Sequence, residues 1–234
     1  MFDKIRKIFN HLLLNVIYIS DIGLYFGKTG FLLFFAHYAK LTVDDVDDEI
    51  VAEIIDDIFH SVGNLSSMSI PDGVCGVGWG VEYILQNKLM EGDSDEILAD
   101  LDKMIFSKGV ESILSNPYFT DILRYIAIRL TSLCGKSKDI PFPRNFLLEL
   151  YQSAKDQNKI LDISINNDFN IIKKNLEKGR FRRKPIAITQ EFTGRASIDT
   201  FPLVPLGLHN GLSGLGINLL LELQKNNNET YIHF

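Results

Sequence analysis

The chain has 234 residues, 46% hydrophobic and 23% charged, which excludes a disordered chain and leaves ample material for one sizeable core. Its formal net charge of -6 argues against a general nucleic-acid binder, because phosphate recognition needs clustered lysine and arginine. The basic cluster at residues 178–184 (KGRFRRK) reads as a solvated loop. Cys75 and Cys134 are too few for a disulfide framework and lie in apolar surroundings, so they read as free buried thiols in a reducing compartment. The N-terminus carries no secretory signal pattern, and the most apolar run, residues 31–36, is far short of the ~20 residues that cross a bilayer. The expectation is a cytoplasmic protein with neither nucleic acid nor membrane as partner.

Along the chain, helical periodicity dominates. Ile5, Ile8, Phe9, Leu12, Leu13 and Val16 form one apolar stripe and predict an amphipathic helix. Residues 30–41 are apolar on nearly every side, which predicts a helix buried all round. Residues 42–60 read as amphipathic, with Thr42 as the N-cap, acidic residues in the first turn, and Val46, Ile50, Ile54, Ile55 and Ile58 inward. Residues 76–89 are again apolar all round. Ser94 opens a helix with Ile97, Leu98, Leu101, Ile105 and Phe106 inward, and residues 121–133 and 144–154 add two more. Residues 194–205 form a long connector of the kind that serves as a functional lid. Residues 214–223 make a third all-round apolar helix. Amphipathic and apolar helices together predict outer and inner layers of stacked hairpins. The last inner helix has no outer partner after it, so the N-terminal amphipathic helix is expected to cover it.

The inner helices share a motif. Gly27 and Gly30 precede the first, Gly73 and Gly76 the second, and Gly211 and Gly214 the third. The second and third units share a further glycine, Gly78 and Gly216, and the first and third an upstream Gly-Leu, at Gly23-Leu24 and Gly207-Leu208. Gly27 and Gly73 are 46 residues apart, and Gly73 and Gly211 are 138 apart, three times as far. That period suits two helices and their turns. The two intermediate grid points, near Phe119 and Ile165, lack the glycine pair, so those units are degenerate or absent. The first glycine is expected at positive φ in a sharp turn. The second permits close backbone approach, either for helix packing or for a cradle of free helix N-terminal amides that binds an anion or a peptide carboxylate.

These units, above all GLHNGLSGLGINLLLEL and then DGVCGVGWGVEYIL, resemble the lanthionine synthetase C-like proteins. The resemblance implies an all-α fold, an α/α toroid of helical hairpins with Gly-x-x-Gly-initiated inner helices, complete or incomplete, in a single domain over residues 1–234. It also implies peptide modification. Cyclases of that family hold a catalytic zinc through two cysteines and a histidine, and zinc there activates a peptide thiolate. This sequence departs from the ligand pattern: His209 and Asn210 precede Gly211 where a Cys-His pair belongs, and Tyr25 and Pro71 stand where the other cysteine belongs. The expectation is therefore a protein with no metal and no cofactor, binding a ribosomally made peptide or a modification-enzyme partner.

Around the expected barrel mouth, His209, Asn210 and Tyr25 are binding candidates, and Trp79 and Tyr83, four residues apart, could form a stacking wall. Glu82 and Glu222 stand on inner helices. Facing one cavity, they would make a carboxylate pair as in α/α-barrel glycosidases, an alternative reading. A non-catalytic interaction protein is a further one. His37, on an inner helix, reads as a hydrogen-bonded core histidine.

Overall fold

A computed structural model describes residues 1–42, 45–137, 140–157, 163–194 and 205–230. The described residues are helical, with no strand. In chain order the helices are α1 (Phe2–Val16), α2 (Lys28–Thr42), α3 (Asp45–Val62), α4 (Val74–Gln86), α5 (Ser94–Ile97), α6 (Ala99–Phe106), α7 (Val110–Ser115), α8 (Phe119–Leu130), α9 (Arg144–Asp156), α10 (Ile163–Lys178), α11 (Gln190–Thr193) and α12 (Leu212–Thr230). No helix among the described residues is long and apolar enough to cross a membrane.

Two helix kinds are present. On α1, Ile5, Ile8, Phe9, Leu12 and Val16 are buried, and on α3 Val51, Ile54, Ile58 and Val62 are. By contrast, α4 is buried along its whole length, and α2 from Thr29 to Ala39. The packing order is α12, α2, α4, α8, α10. α3 covers α2, and α1 packs against both α12 and α2, so the N-terminal helix does shield the last inner helix. α12 departs from the all-round burial expected of it. Asn218 and Glu222 are exposed, and the helices packed most closely against α12 are α2, α1 and α11.

The 46-residue grid extends further than the glycines do. α8 begins at Phe119, on the grid point near 119, and α10 at Ile163, two residues before the next. Those units are therefore present as helices, without the glycine pair. The residues facing each other across neighbouring helices are one period apart. His37 bonds Tyr83 (46 residues on), and Arg129 bonds Glu82 (47 residues before).

The glycines act through close packing. Gly73 has extended backbone (φ -119°, ψ -173°), and the positive-φ glycines among the described residues are Gly109, Gly179 and Gly194. A Cβ at Gly30, Gly76 or Gly214 would overlap the carbonyl oxygen six residues earlier, of Leu24, Ile70 and Leu208 respectively. Gly78 makes room for the ring of Tyr125 on α8, and Gly216 for the ring of Phe34 on α2. The missing side chains thus let each inner helix sit on its own entry loop and against its neighbour.

Two helix boundaries differ from expectation. Ser94 does open its helix, capped by Asp93 through Asp95 N, but the expected continuous helix over residues 94–106 is broken at Leu98 into α5 and α6. Thr42 ends α2 instead of capping α3, and its hydroxyl donates back to the carbonyls of Tyr38 (3.1 Å) and Ala39 (3.3 Å).

Candidate functional site

The entry loops of α2, α4 and α12 repeat one hydrogen-bond pattern. The first amide of each helix donates to the carbonyl seven residues upstream: Lys28 to Asp21 (2.8 Å), Val74 to Ser67 (3.1 Å) and Leu212 to Pro205 (2.8 Å). Thr29 N and Ser213 N then bond Ile22 and Leu206, and Gly76 N bonds Ser69. These amides are spoken for, so the expected cradle of free N-terminal amides is not formed. The loops are also tied to each other. His209 N donates to Tyr25 O (3.1 Å), and Tyr25 N donates to Pro71 O (2.8 Å). These three residues occupy the same repeat position, two before the first glycine. The three loops therefore meet at one end of the inner helices.

From that end an aromatic file runs inward. His209 stacks on Tyr25 (centroids 4.8 Å, 12°), and Tyr25 meets Phe192 edge-on (6.1 Å, 80°). Phe192 stacks on Trp79 (4.4 Å, 18°), and Trp79 on Tyr83 (5.5 Å, 11°). Tyr83 hydroxyl and His37 Nε2 are 2.7 Å apart. At the outer end Phe26, 53% exposed, lies edge-on to His209. Four of the sequence candidates, Tyr25, Trp79, Tyr83 and His209, are thus joined in one row of rings. The row ends half-buried at Tyr25 and His209, where it can meet a ligand side chain.

His209 Nδ1 donates to the carbonyl of Phe192 (3.2 Å), which places a proton on that nitrogen and fixes the ring over Tyr25. Asn210 has left-handed backbone (φ 53°), a conformation asparagine tolerates, and its amide donates to Thr193 O (3.0 Å). Its structural task is to turn the chain into α12. The lid expected at residues 194–205 lies outside the described residues except at its two ends, Gly194 and Pro205, which both adjoin the turn around Asn210 and Gly211.

The two carboxylates do not form a pair. Glu82 has no exposed surface, and its oxygens take Arg129 Nη1, Gln86 Nε2 (2.7 Å) and Ser132 Oγ (2.9 Å). Arg129, also fully buried, further binds Asp102 (2.8 Å) and Asp95 (3.4 Å), and Tyr125 hydroxyl donates to Asp102 (2.8 Å). Glu222 lies exposed on α12. One acid is thus locked in an ion cluster joining α4, α8 and the α5–α6 segment, and the other faces solvent, so the glycosidase-type pair facing one cavity is corrected. Burial pushes the Asp102 carboxyl above its ordinary value against the pull of Arg129. Burial acts the same way on Asp95, but Arg180 and Arg129 hold it below. Arg180 of the basic cluster is therefore engaged with Asp95 (2.6 Å), whereas Arg182, Arg183 and Lys184 are exposed.

Both cysteines are free. Cys75 occupies the repeat position of Thr29 and Ser213, all three fully buried, and burial pushes its thiol well up. Burial also raises the thiol of Cys134, which lines a groove of about 890 Å³ at the other end of the inner helices with Lys40, Lys88 and Met90. Neither is a reactive thiolate at neutral pH. Among the described residues no group of three or more His, Cys, Asp or Glu is placed to hold a metal ion.

His37 titrates inside the core. Burial lowers its pKa from 6.5 to about 4. The unfolded chain therefore binds a proton between pH 6.5 and 4 that the folded chain refuses, and stability falls as pH drops through that window. The full effect is about 3 kcal/mol. Asp168 acts oppositely, since burial raises its carboxyl from 3.8 to about 6. The comparison that isolates His37 is wild type against His37→Gln. Chemical unfolding at pH 7 and pH 4.5 should show the variant losing less stability on acidification, whereas equal losses would mean His37 is protonated in the fold.

Sequence reasoning missed Phe192, the ring that links Tyr25 to Trp79. It lies on the short α11 within a connector of no clear periodicity, so no pattern marked it. The chain was compared with protein-family models, curated proteins and solved structures, and it matches none of them.

Proposed function

We propose that the chain is a lanthionine synthetase C-like α/α toroid, complete or incomplete, that binds a peptide at the mouth formed by its Gly-x-x-Gly loops. It does so in the cytoplasm, without zinc and without closing a thioether ring. The observation that carries this reading is the stacked pair of half-buried rings, Tyr25 and His209, where the entry loops converge, with the buried Trp79 behind them. The shared geometry of the three glycine units supports the repeat architecture. The zinc-free reading rests on the donor set, since His209 is the sole metal-binding side chain among Tyr25, Pro71, His209 and Asn210. The partner is a ribosomally made peptide or the modification enzyme that acts on one.

The test is a panel of short peptides, with and without aromatic residues, titrated against the purified protein. Aromatic-containing peptides should bind, and Tyr25→Ala should weaken them by about tenfold or more with a near-unchanged thermal midpoint. Unchanged binding to Tyr25→Ala would place the site elsewhere. Stoichiometric zinc in the purified protein would overturn the zinc-free part.

A further inference from the structure

The segment that carries Phe192 behaves as a ligand of the rest of the chain. After α10 it runs from Arg183, whose amide bonds Thr131 O (3.3 Å) at the end of α8, to Ile186 at the end of α4, and on to the entry loops. The backbone of Ile186 is gripped at both its N–H and its C=O. Asn87 Nδ2 donates to Ile186 O (2.9 Å), and Ile186 N donates to Gln86 Oε1 (3.3 Å). Two side-chain amides thereby imitate the paired bonds of a neighbouring strand. Beyond the clamp, Ile186 and Ile188 pack inward while Ala187 and Thr189 stay exposed, the alternation of an extended peptide on a surface. Six residues after Ile186, the Phe192 ring lies flat on Trp79 and edge-on to Tyr25 and is 7% exposed.

From this geometry we infer that residues 186–193 are a built-in occupant of a peptide groove. The groove takes a segment that is extended through an aliphatic residue at the Gln86–Asn87 clamp and then makes one helical turn, as α11 does, to set an aromatic residue six positions later in the Trp79–Tyr25 slot. The strap keeps the slot filled until a competing peptide displaces it. Because the strap is tethered at both ends, its effective concentration is high and an external peptide binds the intact protein weakly. This inference rests on the peptide-binding reading above and names the ligand class for it.

The probe is a synthetic peptide of residues 181–193, alongside the same peptide with alanine at the position of Phe192. Both are titrated against the full-length wild type, Phe192→Ala and Ile188→Ala, and emission from Trp79, the single tryptophan, is followed. Phe192→Ala empties the slot, while Ile188→Ala loosens the strap without touching the clamp residues and provides a second route should the first variant not fold. The phenylalanine peptide should bind either released variant about tenfold or more tighter than wild type, and the alanine peptide should show no such gain. Equal affinity for wild type and released variants would overturn the strap as competitor while leaving peptide binding intact. Failure of the peptide to bind any folded form would overturn the inference and count against the peptide reading itself.

Discussion

Arg129→Ala is expected to lower stability by about 3–5 kcal/mol, the range seen when one partner of a buried ion pair is removed. Arg129 has no exposed surface and is the cation that Glu82 and Asp102, 0% and 2% exposed, share. Truncating it leaves two carboxylates desolvated without an opposing charge and removes the joint between α4, α8 and the α5–α6 segment. Chemical denaturation at pH 7 should show a lower midpoint with an unchanged slope. The deficit should also shrink as pH falls. Without Arg129 nothing opposes the burial that raises the Asp102 carboxyl above its unfolded value, so that part of the penalty exists above the unfolded value and fades as pH drops toward it. Glu82→Gln keeps a hydrogen-bonding group in place and is expected to cost well under half as much. A loss of under 1 kcal/mol for Arg129→Ala would mean that the cluster is wet or not formed.

Gly76→Ala is the second large effect, expected to cost about 3 kcal/mol or more. The added methyl would overlap the Ile70 carbonyl oxygen and press on Leu24 Cβ (3.1 Å), so backbone has to move on two entry loops at once. Gly63 provides the control. A Cβ there meets nothing within 4 Å, and Gly63→Ala should be neutral or raise stability by a few tenths to 1 kcal/mol. Thermal unfolding of the pair checks the argument. Similar midpoints for the two variants would show that the motif glycines are interchangeable with alanine.

The inner helices were legible because burial on all sides removes the polar face from a helix, as α2 and α4 show. The glycine units were legible because backbone contact excludes a side chain. At Phe119 this signal fails for a physical reason. The close approach between α4 and α8 is made by Gly78 on α4, which accommodates Tyr125, so α8 needs no glycine of its own. Tyr25 and His209 share one repeat position, and the bonded entry loops that carry them bring the two rings together. Glu82 was visible as an acid in an apolar helix, but its fate depended on Arg129, a repeat length away on the next helix. Its reading as a cavity carboxylate therefore did not survive. The amide cradle failed likewise, because the entry loops fold back seven residues to fill it. Phe192 was not legible, since a single ring in an irregular segment reveals nothing until the chain path is known.

The central claim is that the aromatic mouth is a peptide site, and Trp79 reports on it directly. As the single tryptophan, it gives one indole N–H resonance in an amide correlation spectrum. On titrating Phe192→Ala protein with the residue 181–193 peptide, that resonance should shift progressively and return toward its wild-type position at saturation. An indole resonance that stays fixed while the peptide binds, or while a full peptide panel fails to bind, would contradict the account.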